Sequence, residues 1–163
     1  MIRKQLYWMM GLVMVLTSCQ KEETTSPDET IFQTITVSIP QEVGTRGSTG
    51  DGSLINRCIL QVYRNEQPVG ERQTVAITGS TITFNVSLSS QQTYDLVFWA
   101  DCATRNEDGF EDKFYDTGNL EAVTLKNLGN NDQYTEANEY DAFSACVSYK
   151  ATGNSNATIT LTR

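Results

Sequence analysis

Residues 81–88 alternate strictly between apolar and polar side chains, with Ile82, Phe84, Val86 and Leu88 as the apolar set. Successive side chains of a β-strand point to opposite faces, so this pattern predicts a strand with one face in a core and the other in water. The same period of two recurs in residues 32–40 and 157–162. Such short, half-buried strands limit the chain to sheet-based folds.

Other stretches predict the remaining strands. Residues 57–64 alternate, residues 94–100 are apolar on both faces except for Asp95, and residues 121–125 could add a short strand. We expect residues 94–100 to be a central strand, and residues 72–77 and 81–88 to form a hairpin around the turn at 78–80. Residues 142–149 fit either a strand or a turn of helix. About six to eight short strands with frequent turns predict an all-β fold, a single β-sandwich.

The N-terminal residues predict export. Arg3 and Lys4 precede an apolar run at residues 6–16, and small residues then lead to Cys19. This order is typical of a secretory signal. The run is about half of the roughly 20 residues that a membrane-spanning helix needs, which argues against a transmembrane anchor. Residues 16–19, Leu-Thr-Ser-Cys, resemble the bacterial lipobox. That resemblance implies removal of residues 1–18 and acylation of Cys19, which would anchor the chain in a membrane.

Residues 19–30 are predicted to be a flexible tether, because they are polar and charged and contain a proline. Residues 20–23, Gln-Lys-Glu-Glu, resemble the acidic export signal of Bacteroidetes lipoproteins, which implies a place at the cell surface on the outer membrane. An ordinary solvated linker explains the same residues. The remaining residues, 31–163, are enough for one domain.

Charge and composition exclude several classes of function. The chain has 12 basic and 20 acidic residues, and loss of Arg3 and Lys4 leaves 10 against 20, a net charge of −10. Such a surface repels nucleic acid and anionic lipid head groups. There is no histidine, so catalysis by Ser-His-Asp or Cys-His pairs is excluded. Glycine-rich phosphate loops are also absent from the sequence, and we expect neither an enzyme nor a cofactor.

Three cysteines remain after Cys19, namely Cys58, Cys102 and Cys146. In an exported chain they allow one disulfide and one leftover thiol, while buried free cysteines are equally compatible with the sequence. Their wide spacing matches no zinc motif. Both readings therefore stay open.

The acidic loop is a candidate calcium site. Its carboxylates are Asp101, Glu107, Asp108, Glu111 and Asp112. Aligning the EF-hand glycine on Gly109 places Thr104 at the first ligand position and Tyr115 at the last, so the EF-hand pattern fails. Other calcium geometries remain, but a solvated acidic loop is the favoured interpretation.

Aromatic residues are candidates for a sugar-binding face. They are Tyr94, Phe98, Trp99, Phe110, Phe114 and Tyr115. Against this, Phe98 and Trp99 fall within the predicted central strand, where aromatic side chains normally belong to the core. We favour the core interpretation for both.

Four features together resemble one protein family. They are the lipobox, the Val-Gly-Thr-Arg at residues 43–46, the Leu-Val-Phe-Trp-Ala at residues 96–100, and the Phe-Tyr-Asp-Thr at 114–117 followed by Leu-Glu-Ala-Val at 120–123. Over residues 31–163 the chain is similar to the N-terminal domain of the fimbrillin-like lipoproteins of Bacteroidales. This resemblance implies a transthyretin-like or Ig-like β-sandwich and a structural or adhesive role as a pilus subunit or accessory protein.

The resemblance also gives Arg46 an expected role. In that family an arginine-specific protease cuts such a loop and removes the first strand, and a donor strand from another subunit fills the gap. The implied partners are other pilus subunits or surface ligands bound by strand addition. A plain surface arginine is the competing reading of Arg46, and a surface lipoprotein that binds a glycan or another ligand is the alternative function. Family members usually continue into a second β domain after the final strand, and whether this chain is truncated at Arg163 stays open.

Overall fold

The computed structural model describes residues 29–40, 52–127, 137–153 and 156–163. Cys19, Arg46 and the predicted signal segment lie outside these ranges. The strands are β1 Thr30–Ser38, β2 Arg57–Arg64, β3 Gln67–Ala76, β4 Thr81–Ser89, β5 Thr93–Asp101, β6 Thr104–Asn106, β7 Gly109–Glu111, β8 Tyr115–Asp116, β9 Thr124–Leu125, β10 Ala142–Lys150 and β11 Ala157–Thr160, with a 3-10 helix at Ala137–Tyr140. The described chain is thus almost entirely β, as predicted.

Two main sheets form a sandwich. Sheet I has the strand order β11-β1-β4, and sheet II has the order β10-β5-β2-β3. β1 runs antiparallel to β4 from Thr30 opposite Ser89 to Ser38 opposite Thr81, and parallel to β11. Two short hairpins, β6–β7 and β8–β9, lie outside these sheets.

The core lies between the two main sheets. Ile82, Phe84, Val86 and Leu88 of β4 are all buried, which confirms the predicted inward face. The ring of Phe84 contacts that of Phe98 on β5, with centroids 5.8 Å apart. Inward side chains at every second position of both sheets therefore supply one continuous apolar layer.

β5 is a central strand, as the sequence predicts. It lies between β10 and β2 in sheet II. β2 is buried at every position from Arg57 to Tyr63. Such a strand needs cover on both faces of its sheet, so something other than sheet I must lie over the outer face.

The predicted hairpin around residues 78–80 is wrong. β3 pairs with β2 in sheet II and β4 pairs with β1 in sheet I, so this turn carries the chain from one sheet to the other. The residues of a turn indicate that the chain changes direction, but they do not determine which strand the next strand pairs with. β4 pairs along its whole length with β1. The true hairpin joins β2 to β3 through Asn65 and Glu66, whose φ values are 51° and 63°. Two positive φ values are the geometry of a tight type I′ turn.

β3 also differs from its predicted bounds. It begins at Gln67 rather than at Arg72 and carries an irregularity opposite Gln61, between the pairs of Leu60 and Val62. Gly70 lies in this bulge with a φ of 70°, a left-handed value that favours glycine. Arg72 is also one of the bulged residues, because the pairing resumes at Gln73. Its side chain reaches Thr117 over the outer face of sheet II.

The open question about the cysteines is resolved for the described residues. Cys58 and Cys102 are buried free thiols, and Cys146 is an exposed free thiol on β10. Cys58 lies in the core between the sheets. A buried free cysteine packs like a small apolar side chain, so its burial needs no disulfide.

The two edges of the sandwich differ. On the side of β10 and β11, Ser144 and Thr162 exchange backbone hydrogen bonds of 2.7 and 2.9 Å, which link sheet II to the chain that follows β11 of sheet I. On the other side β3 and β4 are edge strands, and no described strand pairs with the outer edge of either one.

The aromatic contact in the core predicts a large effect of truncation. Phe84→Ala should lower the free energy of unfolding by about 3–5 kcal/mol, because it removes a buried ring and leaves a cavity. Ser87→Ala on the exposed face of the same strand should change it by no more than about 0.5 kcal/mol. Urea unfolding of residues 19–163 can be followed by the fluorescence of Trp99, because the only other tryptophan of the sequence is Trp8. Similar losses in both variants would mean that β4 does not bury this face.

Candidate functional site

Residues 112–126, called here the covering segment, lie across the outer face of sheet II. Leu120 of this segment is buried in a second apolar cluster with Ile59, Tyr63 and Val97. Val123 packs against the same cluster. The covering segment therefore supplies the outer cover that β2 requires.

A buried ion pair fixes one end of this arrangement. Arg57 on β2 lies directly opposite Asp101 on β5. Its Nε donates to Asp101 Oδ1 at 2.6 Å, and its Nη2 donates to Asp101 Oδ2 at 3.0 Å. The two side chains are 3% and 0% exposed. The carboxylate supplies both an opposite charge and hydrogen-bond acceptors to the guanidinium, which a buried charged group requires.

Asp112 connects the covering segment to this pair. Its Oδ1 accepts a second bond from Arg57 Nη2, at 2.6 Å. Asp112 also accepts hydrogen bonds from the backbone amide and the hydroxyl of Thr117, both at 2.7 Å. Thr117 in turn accepts two hydrogen bonds from Arg72, one at its carbonyl oxygen and one at its hydroxyl. Two arginines from sheet II therefore hold the start of the covering segment.

These contacts shift the pKa values of the charged groups. Burial disfavours the charged form of Arg57, but the hydrogen bonds and charges of Asp101 and Asp112 outweigh it and raise the pKa of the guanidinium. Burial likewise opposes ionisation of Asp112, yet the bonds from Thr117 and Arg57 lower the pKa of its carboxyl below the usual aspartate value. Both groups are therefore held in their charged forms.

Aromatic contacts form a second clamp on the covering segment. The ring of Tyr115 meets that of Trp99 edge to face, with centroids 5.1 Å apart. The hydroxyl of Tyr115 donates to the carbonyl oxygen of Tyr140 at 2.6 Å. The rings of Phe114 and Tyr140 lie 4.3 Å apart. The 3-10 helix is thereby tied to the covering segment, and Trp99 is held between the sheet and this segment.

A cleft of about 450 Å³ opens beside Trp99, between the covering segment and strands β5 and β10. We call it the Trp99 cleft. It is lined by Asp95, Val97, Phe98, Trp99, Leu120, Glu121, Val123, Ser144, Ala145 and Cys146. Apolar walls with a few polar groups are typical of small-molecule sites.

The polar groups of the Trp99 cleft define what it can bind. The indole Nε1–H of Trp99 is buried and has no hydrogen-bond acceptor among the described residues. An unsatisfied buried donor is costly, and native structures contain few of them. Among the described residues of the lining, Asp95 and Glu121 are acidic and none is basic. The cleft thus suits a neutral or cationic ligand with an apolar face.

A second cleft of about 580 Å³ lies beside Arg57 and Arg72. It contains three basic residues, but Arg57 and Arg72 are held by the contacts above, and Lys126 Nζ donates to the carbonyl oxygen of Asp112 at 2.7 Å. Because Arg57 and Arg72 already bind the covering segment and Lys126 bonds within it, this cleft is part of the support of the fold rather than an anion site.

The candidate calcium ligands are not brought together. Asp101 and Asp112 converge on Arg57, whereas Glu107 and Asp108 are exposed at the turn between β6 and β7, and Glu111 is exposed on β7. In the described ranges no three acidic or cysteine side chains are close enough to hold a metal ion. The acidic loop divides between ion-pair partners and solvated residues.

The six aromatic candidates do not form a single face. Tyr94 and Phe98 are buried in the core between the sheets, and Phe114 is buried as well. The core interpretation is therefore confirmed for Phe98, in the layer between the sheets, whereas Trp99 is partly buried and packs against the second apolar cluster on the outer face of sheet II. Only Trp99 and Tyr115 meet beside the cleft.

Sequence patterns did not predict the roles of Arg57, Arg72 and Thr117. A usable signal existed in Arg57, a charged residue at the start of a strand whose next residues are largely apolar, and in Asp101 at the end of the predicted central strand. A buried charge of one sign needs a partner of the other sign, so these two could have been paired.

The buried thiols are not nucleophiles. Burial raises the pKa of Cys58 to about 12 and also raises the pKa of Cys102. At neutral pH both stay protonated, and the thiolate is the reactive form. Cys58 and Cys102 are both buried, so we assign them a role in packing.

A comparison with protein families identifies one match. Residues 24–163 match a family described as "Family of unknown function (DUF6562)". The chain belongs to this family. Neither the curated proteins nor the solved structures contain a match. In the described ranges no helix combines the length and the hydropathy needed to cross a bilayer.

The contacts of Asp112 predict a dependence of stability on pH. Because the pKa of Asp112 is lower in the folded chain, its contribution is complete above the unfolded pKa and is lost as the pH falls through the folded one. Asp112→Asn should reduce the free energy of unfolding by about 1–3 kcal/mol near neutral pH. The difference from wild type should shrink on acidification.

Urea unfolding of both proteins between neutral and acidic pH measures this difference. Asp108→Asn is the matched control, because Asp108 is exposed at the β6–β7 turn. The assignment fails if Asp112→Asn follows the wild-type stability at every pH, or if the control behaves in the same way as Asp112→Asn.

Proposed function

We propose that this chain is a lipid-anchored protein of the cell surface with a structural or adhesive role, a pilus subunit or accessory protein of the fimbrillin-like kind. In this proposal it assembles by exchanging its first strand. The observation that carries the proposal is the place of β1 in the middle of sheet I, between β11 and β4.

Loss of β1 would leave a groove of the right shape for another strand. The inward residues Ile35, Val37 and Ile39 are all buried. Without them, β4 and β11 would flank an apolar slot and would each expose a row of backbone groups. Such groups and such a surface are costly to leave open, so an incoming strand with the same alternation would be bound by strand addition.

Gln33 would give that groove specificity. It is a buried polar residue on the inward face of β1. Its Nε2 donates to the carbonyl oxygen of Thr152 at 3.2 Å, and its Oε1 accepts from the hydroxyl of Tyr149 at 2.9 Å. A donor strand shifted by two residues would place an apolar side chain against these polar groups, so Gln33 selects the register.

The order of the chain couples exchange to anchoring. Cys19, the proposed lipid site, precedes β1, and Arg46 follows β1 by a few residues. A cut after Arg46 would therefore leave the anchor and β1 on one fragment and both main sheets, without β1, on the other. One cleavage would separate the domain from the membrane and open the groove.

A second candidate function is binding of a glycan or a related ligand at the surface. The Trp99 cleft favours it, because an indole ring and apolar walls lie beside two carboxylates. Sugars present both an apolar face and hydroxyl groups, and match such a lining.

Protease treatment of membranes that carry the full chain tests the first proposal. An arginine-specific protease should cut after Arg46, while the hydrogen bonds of β1 hold the two fragments together. Addition of a synthetic peptide with the sequence of residues 29–40 should then displace β1 and move residues 47–163 into the soluble fraction. Immunoblotting of the membrane and soluble fractions measures the release.

Three controls make this test specific. Arg46→Gln should prevent both the cut and the release, and Cys19→Ala should make the chain soluble without any protease. A peptide with Gln33→Leu should release less, because it removes a hydrogen bond of Tyr149. Strand exchange is wrong for this chain if the cut domain stays on the membrane at every concentration of the matching peptide.

Fluorescence tests the second candidate. After loss of residues 1–18, Trp99 is the single tryptophan, so its emission reports on the cleft directly. Titration with a set of neutral oligosaccharides should give a saturable change for at least one of them, and Glu121→Ala should weaken it by about tenfold. Ser148→Ala, on an exposed position of β10, is the control. A flat signal for the whole set would count against a glycan site here.

A further inference from the structure

We propose that the free edge of β4 pairs with β4 of a second copy of this chain, in antiparallel orientation about a two-fold axis. The product is one continuous sheet with the order β11-β1-β4-β4-β1-β11. This surface is separate from the groove of β1, so it goes beyond the proposed function and does not depend on it.

β4 is an edge strand without the usual protection. It runs for nine residues with no proline, glycine, charged residue or register shift. β3, the neighbouring edge strand, carries Pro68, a bulge at Gly70 and the exposed charge of Glu71. Proteins use such devices to prevent pairing at an edge, so their presence on β3 and absence from β4 leave one strand open to a partner.

The hydrogen-bonding groups of this edge can be assigned by alternation. Ser80 accepts from Ile39, and Ser90 donates to Glu29, so even-numbered residues of this stretch face β1 and its extensions. The odd-numbered residues of β4 therefore direct their N–H and C=O groups away from β1. On that side Gln73 donates to the carbonyl oxygen of Asn85 at 2.8 Å.

Tyr94 binds the C-terminal end of this edge, because its hydroxyl accepts a hydrogen bond from the amide of Ser89 at 3.0 Å. No described strand takes up the backbone groups of Thr81, Thr83 and Ser87. The hydrogen bond from Gln73 to Asn85 is exposed, so the side-chain amide of Gln73 can donate to water instead when a strand approaches.

Charge favours a second copy as the occupant. The chain carries a net charge of −8, which repels another copy wherever acidic surfaces meet. β1, β4 and β11 contain no acidic or basic residue. Their outward side chains are mainly threonine and serine, and Phe32, 84% exposed, adds an apolar ring opposite Ser87. Two copies can therefore approach each other through the uncharged strands of sheet I without repulsion between acidic residues of these strands.

The sequence of β4 is also complementary to itself. With the axis at Asn85, the middle of the strand, Thr83 lies opposite Ser87 of the second copy. The ladder stops short of Ser89, because Tyr94 already binds its backbone groups. Short hydroxyl side chains then face each other on the outer face, and such cross-strand pairs are favourable. On the inner face Phe84 lies opposite Val86, which extends the apolar alternation across the axis. A two-fold interface requires this self-complementarity.

A charge pattern distinguishes this pairing from other associations. In the double variant Thr83→Lys/Ser87→Lys, lysines face each other twice across the axis. In Thr83→Lys/Ser87→Glu, each lysine faces a glutamate. Within one strand the two positions are too far apart to interact, so both variants perturb the monomer alike. Native mass spectrometry of the full-length chain, released from detergent over a range of concentrations, measures the dimer fraction, and circular dichroism checks that each variant folds.

Wild type should form dimers, the lysine–lysine variant should raise the dimer dissociation constant by about tenfold or more, and the lysine–glutamate variant should restore it. A wild type that is monomeric at every concentration overturns the proposal. So does a lysine–lysine variant that dimerises as well as wild type. If the two double variants lose the dimer equally, the strands do not pair in this antiparallel register, and the proposal is also wrong.

Discussion

The rest of the structure depends on the burial of sheet II on both of its faces. Sheet I covers the inner face, and the covering segment covers the outer one. The outer cover is held by charge as well as by apolar contact, because Arg57 is bound to Asp101 on the neighbouring strand and to Asp112 at the start of the covering segment. A buried charge that lost one of these partners would be strongly destabilising, so the sheet and its cover form one unit.

Sheet I has a different character. Its three strands are buried on one face only, and its outer face carries hydroxyl side chains in place of a second cover. β1, its middle strand, is the first strand of the described chain and is held by its two neighbours and by the bonds of Gln33. Sheet II is therefore covered on both faces and sheet I on one, and both the proposed exchange of β1 and the proposed pairing of β4 involve sheet I.

Local alternation accounts for what the sequence could predict. It located β1, β2, β4 and β5 within a few residues, because a period of two is visible wherever one face of a strand is buried. It could not assign β3 and β4 to different sheets, since a turn does not name a partner. It also missed the cover over Trp99, because Leu120 and Val123 lie in an irregular segment without a period. The pairing of Arg57 with Asp101 joins residues far apart in the chain and is set by strand order alone.

Amide hydrogen exchange of the full chain, before and after cleavage at Arg46, tests most directly whether β1 is the separable strand. The proposed strand exchange predicts that cleavage speeds exchange in β1 and at the residues of β4 that bond to it, while β2 and β5 keep their protection. Loss of protection in both sheets together would show that β1 cannot leave without unfolding the domain. Unchanged exchange throughout β1 would show that the cut does not free the strand, and either result would contradict this account.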